Sequence, residues 1–291
     1  SHFEAMSAME RGLPQVSGDL STGWLARHLE TTAPHRQTPL RAVALSPNMP
    51  DSLRGASHAL ALTSVDDFRL HAGEKSPEYE ASLRRLYRKG DDTMTQAGRE
   101  TLDVLSALNR LDPKAYKPSF GSSYPTSDLA QALKQVAFLR RANVGLEVVA
   151  LDMGGWDTHV TQGVATGPLA NNLREVSDAL AAFARDMGPD LNSVTVVVQT
   201  EFGRRAHENT GLGTDHGRAS FMMVLGGGAA GGKVYARWPG LEEHQLEEPG
   251  DLRVTTDYRD VLAEVLTKRM GNRAPEQVFP GLSPSPTGCM V

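Results

Sequence analysis

Residues 144–159 read VGLEVVALDMGGWDTH and residues 193–205 read SVTVVVQTEFGRR, and these two stretches together decide the fold. Each opens as an apolar, β-branched run and closes as a loop of polar and glycine residues. A continuous apolar run without alternation suits a short strand covered on both faces, the usual condition of a parallel sheet. Between the two runs, Leu169, Leu173, Val176, Leu180, Phe183 and Met187 recur at steps of three and four, the spacing of one helical face. Pro168 suits the first turn of that helix and Gly188 its end. Strand, helix and strand in this order predict a βαβ unit with a right-handed crossover.

Working outward, residues 40–45 (LRAVAL), 59–63 (ALALT) and 220–225 (SFMMVL) read as further short buried strands. Residues 77–141 are charged and strand-poor, with helical patterns over 78–89, 92–111 and 127–141 and a Pro/Ser-rich turn over 117–125. They predict a helical insertion or cap over the sheet, a separate helical domain being the other arrangement. The 291 residues otherwise suit one large α/β domain, and the Pro/Ser/Gly-rich tail from residue 279 predicts a loosely held end. The first residue is not Met, so the N-terminus is expected to be a cut edge.

Composition removes several function classes. The 30 Lys and Arg against 35 Asp and Glu leave a net charge of −5, which argues against a nucleic-acid clamp. Cys289 is the only cysteine, so one chain can build neither a disulfide framework nor a thiolate metal cluster. The longest apolar runs, at 194–198 and 221–225, fall far short of the ~20 residues of a membrane helix, so no membrane span is expected.

The chemistry gathers where strands end. Open α/β sheets bind ligands at the carboxyl ends of their strands, so the loops after residues 151 and 199 should converge on one crevice. Asp157 and His159 are two apart and would share a side in extended chain, which lets both reach one ion. An Asp/His mixture suits zinc, manganese or iron better than calcium, although D-x-H by itself also describes a capped turn beside a surface histidine. Gly213-Thr214-Asp215-His216-Gly217 precedes the strand at 220–225. Adjacent side chains diverge, so Asp215 and His216 would serve two ions, or act as ligand and orienter, or belong to a glycine-flanked turn. Arg204 and Arg205 could hold an anionic group bidentately or remain solvated.

Other features read as structural. Residues 226–231 (GGGAAG) match G-x-G-x-x-G literally but lead into a strand-like Lys233-Val234-Tyr235 rather than a helix, which predicts a flexible strand connection. Glu242, Glu243, Glu247 and Glu248 read as exposed surface, with His244 facing solvent among them. His28, His35, His58, His71 and His207 have no partner identifiable from sequence.

Taken together, SHFEAMSAMERG at the start, GGWDTH followed by Gln162, EFGRR, GTDHG, VLGGG…GGKVYARWPGL and TTDYRDVLAEVL resemble the bacterial domain-of-unknown-function 1501 family, in order from residue 1 to about 282. That family is placed in the alkaline-phosphatase-like superfamily. The resemblance implies a three-layer α/β sandwich with a mostly parallel central sheet, and metal-dependent hydrolysis of a phosphate or sulfate ester carried by a small molecule or polymer. By chain order, Asp157 and His159 resemble the superfamily's first Asp/His pair, Glu201 stands at its second Asp, and His216 at its later His with Asp215 beside it. Phe202 occupies the place of a histidine. A rival mapping equates Asp215-His216 with the superfamily's Asp-His pair, and both mappings retain Asp157, His159 and His216. The ion implied is zinc or manganese, with Arg204 as a substrate clamp. The superfamily's leading strand, with its metal-binding Asp and nucleophile, has no counterpart here. The chain therefore looks N-terminally shortened, and Ser1 and His2, at the head of an expected helix, fall only loosely near the nucleophile position, with Ser1 the candidate nucleophile. Relatives are commonly exported, which implies a periplasmic or extracytoplasmic setting. The competing expectation is a non-catalytic binding or assembly protein on a degenerate sheet, favoured by Phe202 and the missing strand.

Overall fold

The computed structural model describes residues 1–14, 20–35, 38, 40–66, 68, 70 and 72–291; His71 lies outside them. The chain is a mixed α/β protein with a small parallel sheet. Its elements are α1 (His2–Arg11), α2 (Trp24–Thr31), β1 (Ala42–Ala44), β2 (Ala59–Ala61), α3 (Ser76–Leu86), α4 (Thr93–Asn109), α5 (Asp128–Arg141), β3 (Val148–Ala150), α6 (Pro168–Met187), β4 (Thr195–Val198), β5 (Gly203–Glu208), β6 (Thr214–Gly217), β7 (Met223–Gly226), α7 (Tyr258–Arg269) and α8 (Pro275–Val278).

The parallel sheet has the order β2-β1-β3, with Val43 of β1 opposite Leu60 and Val149. The fourth expected strand, β4, forms, but its ladder partner is β7, and that pair is antiparallel. The expected parallel sheet is present but small, and β4 stands outside its ladders. Beyond β7 the chain turns at residues 227–228, where the Ala229 N–H meets the Gly226 carbonyl (3.3 Å), and a Cβ on Gly227 would lie 1.8 Å from the Asn192 carbonyl oxygen. A second antiparallel pair, β5 with β6, was not foreseen: its residues GRRAHE and TDHG are polar and short and carry no hydrophobic alternation. Residues 233–235 form no strand.

Side chains of the short strands are shared between helices on both faces. Val43 packs with Leu40, Val104, Leu108, Phe138 and Leu139, so α4 and α5 cover one face of β1. Its neighbours Ala42 and Ala44 turn to the other face and meet Leu29 of α2, Leu53 and Val148. In β4, Val196 rests on the α5–α6 cluster of Ala130, Leu133, Ala137, Ala179, Phe183 and Met187. Val197, one residue on, packs on Leu262 and Leu266 of α7 with Phe279. This is the period-two alternation of a strand buried on both sides. The helical segment 77–141 thus packs directly against β1 and α6.

Two buried carboxyl groups anchor loops. Asp186 of α6 is fully buried and accepts hydrogen bonds from the hydroxyls of Tyr116 and Tyr124 (both 2.8 Å) and from the Ser119 backbone N–H (2.7 Å). The Pro/Ser-rich turn at 117–125 is therefore tied to the helix beneath it. Glu264 of α7 accepts from the backbone N–H groups of Thr287 (2.7 Å), Gly288 (3.0 Å) and Met290 (2.9 Å). Met290 bridges to Ala229, and Met290 and Cys289 are buried against Val265. The tail expected to be loose is docked, because a carboxylate that accepts several N–H groups offsets the weak hydrophobicity of SPSPTG. Among the described residues, no helix is long and apolar enough to cross a membrane.

Glu264 is ionised against the penalty of its burial: the Met290 N–H, then the Thr287 hydroxyl and the Thr287 and Gly288 N–H groups, bring its pKa below the ordinary carboxylate value. Its stabilisation is therefore present above the unfolded carboxylate pKa and is lost as pH falls through the lower, folded value. Glu264→Ala should destabilise the protein by about 2–3 kcal/mol and expose the last five residues to carboxypeptidase; parent-like melting and resistance would show that the tail is held by its apolar contacts alone.

His28 is buried and accepts a hydrogen bond at Nδ1 from Asn272 Nδ2 (3.1 Å). Burial, with the Arg41 charge adding to it, pushes its pKa from 6.5 down to about 4. The unfolded chain takes up a proton that the fold refuses, so stability is full above pH 6.5 and falls as pH drops toward 4, by up to about 3 kcal/mol. Urea unfolding of His28→Gln across that window should give a flatter pH dependence than the parent, and identical slopes would place the acid sensitivity elsewhere.

Candidate metal centre

Two strand-end loops, the β5–β6 hairpin and one helix deliver the polar cluster. After β3 the chain leaves the sheet through Gly154 and Gly155, and the Trp156 indole N–H closes the turn on the Met153 carbonyl (2.9 Å). Asp157 and His159 then face one side, while buried Thr158 between them faces the other and donates to Gln162 Oε1 (2.8 Å). Thr214 of β6 donates to the same oxygen (2.7 Å), so Gln162 staples the Asp157–His159 loop to the hairpin. In the β5–β6 register Arg204 lies opposite His216.

His159 Nε2 and His216 Nε2 lie 2.9 and 2.8 Å from the same oxygen of Asp157, Oδ1, and 2.9 Å from each other. Asp215 and His216 point apart, as neighbours on a strand must. Asp215 reaches His159 Nδ1 (3.1 Å), and Asn209 Nδ2 donates to Asp215 (2.9 Å) and to the His159 carbonyl (3.0 Å). His2, in the first turn of α1, places Nδ1 2.7 Å from Glu201 Oε1 and Nε2 3.4 Å from Asp157 Oδ2. Phe202 lies against the rings of His2 and His216, with centroid separations of 4.8 and 4.6 Å. Phe202 thus forms an apolar wall on one side of the cluster.

The cluster is open to solvent: the Asp157 side chain is 50% exposed and those of His159 and His216 about a third. Hydrogen bonding from His216, then from Arg204, holds the Asp157 carboxyl well below its usual pKa. Asp215 is also lowered, by Asn209 first and His159 next. Both are therefore ionised acceptors at neutral pH.

All five residues expected as metal ligands, Asp157, His159, Glu201, Asp215 and His216, belong to this one cluster. Two other expectations change. Arg204 donates to the carbonyls of Thr214 and Trp156 (both 2.7 Å) and to Asp157 (2.9 Å), so its guanidinium braces the site rather than standing free as a substrate clamp. Ser1 is the N-cap of α1: its hydroxyl accepts from the Glu4 N–H and its backbone nitrogen donates to Glu4 Oε2 (3.0 Å), the two halves of a capping box, and the hydroxyl donates to the same oxygen (3.0 Å). His244 is exposed, as expected. Gln162 and Asn209 were not foreseen as parts of the site, and His2, expected with Ser1 near the nucleophile position, was not foreseen as a possible ligand. For His2 the available signal was its place beside Ser1 in the quoted SHF segment; Gln162 and Asn209 carry none that distinguishes them from ordinary loop amides.

A family model described as protein of unknown function (DUF1501) matches residues 2–277. No curated protein and no solved structure matches the chain.

Close backbone approach explains the glycine that opens the 213–217 segment. A Cβ on Gly213 would lie 2.3 Å from the His159 carbonyl oxygen and 2.5 Å from that of Thr158. Gly213→Ala should therefore cost about 1–3 kcal/mol and shift the NMR ring resonances of His159 and His216. Gly231→Ala, whose Cβ meets nothing within 4 Å, is the control. Unmoved resonances in Gly213→Ala would mean that the approach does not set the histidine's position.

Proposed function

The chain belongs to the DUF1501 family, and we propose that it is a metal-dependent hydrolase of phosphate or sulfate esters, built on an alkaline-phosphatase-like three-layer sandwich. The observation that carries this reading is the meeting of two imidazole Nε2 atoms, one from the loop after β3 and one from strand β6, at one carboxylate oxygen of Asp157. Two nitrogens 2.9 Å apart around an ionised carboxylate form a mixed nitrogen and oxygen donor set suited to zinc or manganese. Asp157, His159 and His216 would hold the ion. Such an ion supplies Lewis-acid polarisation of the ester's phosphoryl or sulfuryl oxygens and acidifies an attacking water.

The chain's own residues do the rest. Arg204 fixes Asp157 and keeps it charged; Asn209 and Gln162 hold the two histidine-bearing segments at a constant separation. The exposure of the cluster suits an ester borne on a small molecule or on a polymer, since either can approach without a lid. Water is the fitting nucleophile, because the Ser1 hydroxyl is engaged by Glu4, accepting from its N–H as a helix cap and donating to its carboxylate. An extracytoplasmic setting belongs to the same proposal and rests on the resemblance alone.

Replacing Asp157, His159 or His216 by Ala should reduce zinc or manganese affinity by at least about 100-fold, beyond the ~10–100-fold typical of outer partners. His244→Ala should bind as the parent does. Calorimetric titration with metal content by elemental analysis measures this, and 4-nitrophenyl phosphate and sulfate report turnover. Three alanine variants with parental affinity would remove the site's basis; tight metal binding without turnover of any ester would favour a non-catalytic binding protein.

A further inference from the structure

The cluster contains three histidines and three carboxylates, and the two kinds of imidazole nitrogen are used differently. We infer that the centre is completed by His2, so that Asp157 and the Nε2 atoms of His2, His159 and His216 face the ion. Glu201 and Asp215 stand outside it and hold His2 and His159 through Nδ1. This partition rests on the metal-site reading above and departs from chain order, which would make Glu201 a ligand.

Two separate contacts repeat one arrangement. Glu201 lies 2.7 Å from Nδ1 of His2, and Asp215 lies 3.1 Å from Nδ1 of His159. A carboxylate oxygen accepts and an imidazole Nδ1–H donates, so the Nδ1–H tautomer fits the geometry of both pairs. In a neutral imidazole this leaves the Nε2 lone pair free. Both Nε2 atoms point to Asp157, at 3.4 Å for His2 and 2.9 Å for His159. The pairs come from different parts of the fold: Glu201 follows β4 and meets α1, whereas Asp215 lies on β6 and meets the loop after β3.

The His2 ring supplies an independent observation. Its Nε2 is buried and has no hydrogen-bond partner. A buried polar nitrogen left unpaired costs free energy, and a lone pair aimed at a carboxylate costs more, unless a positive group lies between them. One donor atom each from His2, Asp157 and His216 can be chosen with all three within 4.8 Å of one another. Phe202 packs on His2 and His216 and limits how far either ring can tilt away. On this partition α1, which has no fully buried residue, is joined to the core loops through the ion.

The test uses the whole protein with zinc and with cobalt(II) as a spectroscopic probe. His2→Ala should lower zinc affinity at least about 100-fold while its metal-free melting matches the parent. Glu201→Ala and Asp215→Ala should each lose ~10–100-fold. Glu201→Gln and Asp215→Asn, which keep an acceptor for Nδ1–H, should recover most of that loss and leave the cobalt(II) absorption spectrum unchanged. Nitrogen-15 NMR of the zinc-loaded protein should show Nδ1 protonated and Nε2 coordinated in His2 and His159. If the amide variants bind as poorly as the alanine variants and change the cobalt spectrum, the carboxylates are ligands and the partition is wrong. Parental affinity in His2→Ala also overturns it. A parent protein that takes up neither metal overturns the partition together with the metal-site reading.

Discussion

The close seating of α6 on α5 is the contact on which the rest of the structure depends. Ala130, Ala137 and Ala179 are wholly buried there, and side chains that end at Cβ let two helices approach closely enough for Phe183 and Met187 to fill the seam. Leu151, just past β3, and Val194 and Val196 of the β4 segment rest on that pair. The strands joined by α6 share a floor although they share no ladder, and their carboxyl ends emerge on the same side, where the polar loops gather.

The polar cluster inherits its precision from that floor and its charge from its own members. His2, His159 and His216 come from a surface helix, a strand-end loop and a hairpin, so no two of them are neighbours along the chain. Their meeting at Asp157 exists only in the folded protein, and any ligand that favours the meeting also favours the fold. Braces such as Arg204, Asn209 and Gln162 are polar groups spent on position, which fits a site that must stay ordered while open to water.

The helices were legible because their signals are local. Ser127 caps α5 and Asp92 caps α4 as the patterns at 127–141 and 92–111 indicate, and the apolar stripe from Leu169 to Met187 becomes α6. Strand existence was legible as well, since runs such as TVVV have few other uses. Strand direction was not: β7 is as apolar as β4, and nothing in SFMMVL records that it pairs antiparallel. The β5–β6 hairpin escaped because its residues serve the site and its register is set by backbone contacts. The docked tail escaped because its anchor, Glu264, lies on a distant helix. The ligand-type residues on the loops were readable from D-x-H and GTDHG, but His2 required knowledge of where α1 lies, which only the three-dimensional structure supplies.

The C-terminal bridge also marks a boundary useful to anyone handling the protein. Met290 is 4% exposed and Val291 is 77% exposed, so the division between interior and solvent falls at a single peptide unit. An affinity tag appended after Val291 would leave directly into water. A tag that replaced the last three residues would instead remove Met290, one of the residues that hydrogen-bond Glu264, and the cover over Val265. For this chain, extending the C-terminus and trimming it are different operations, although each changes only a few residues.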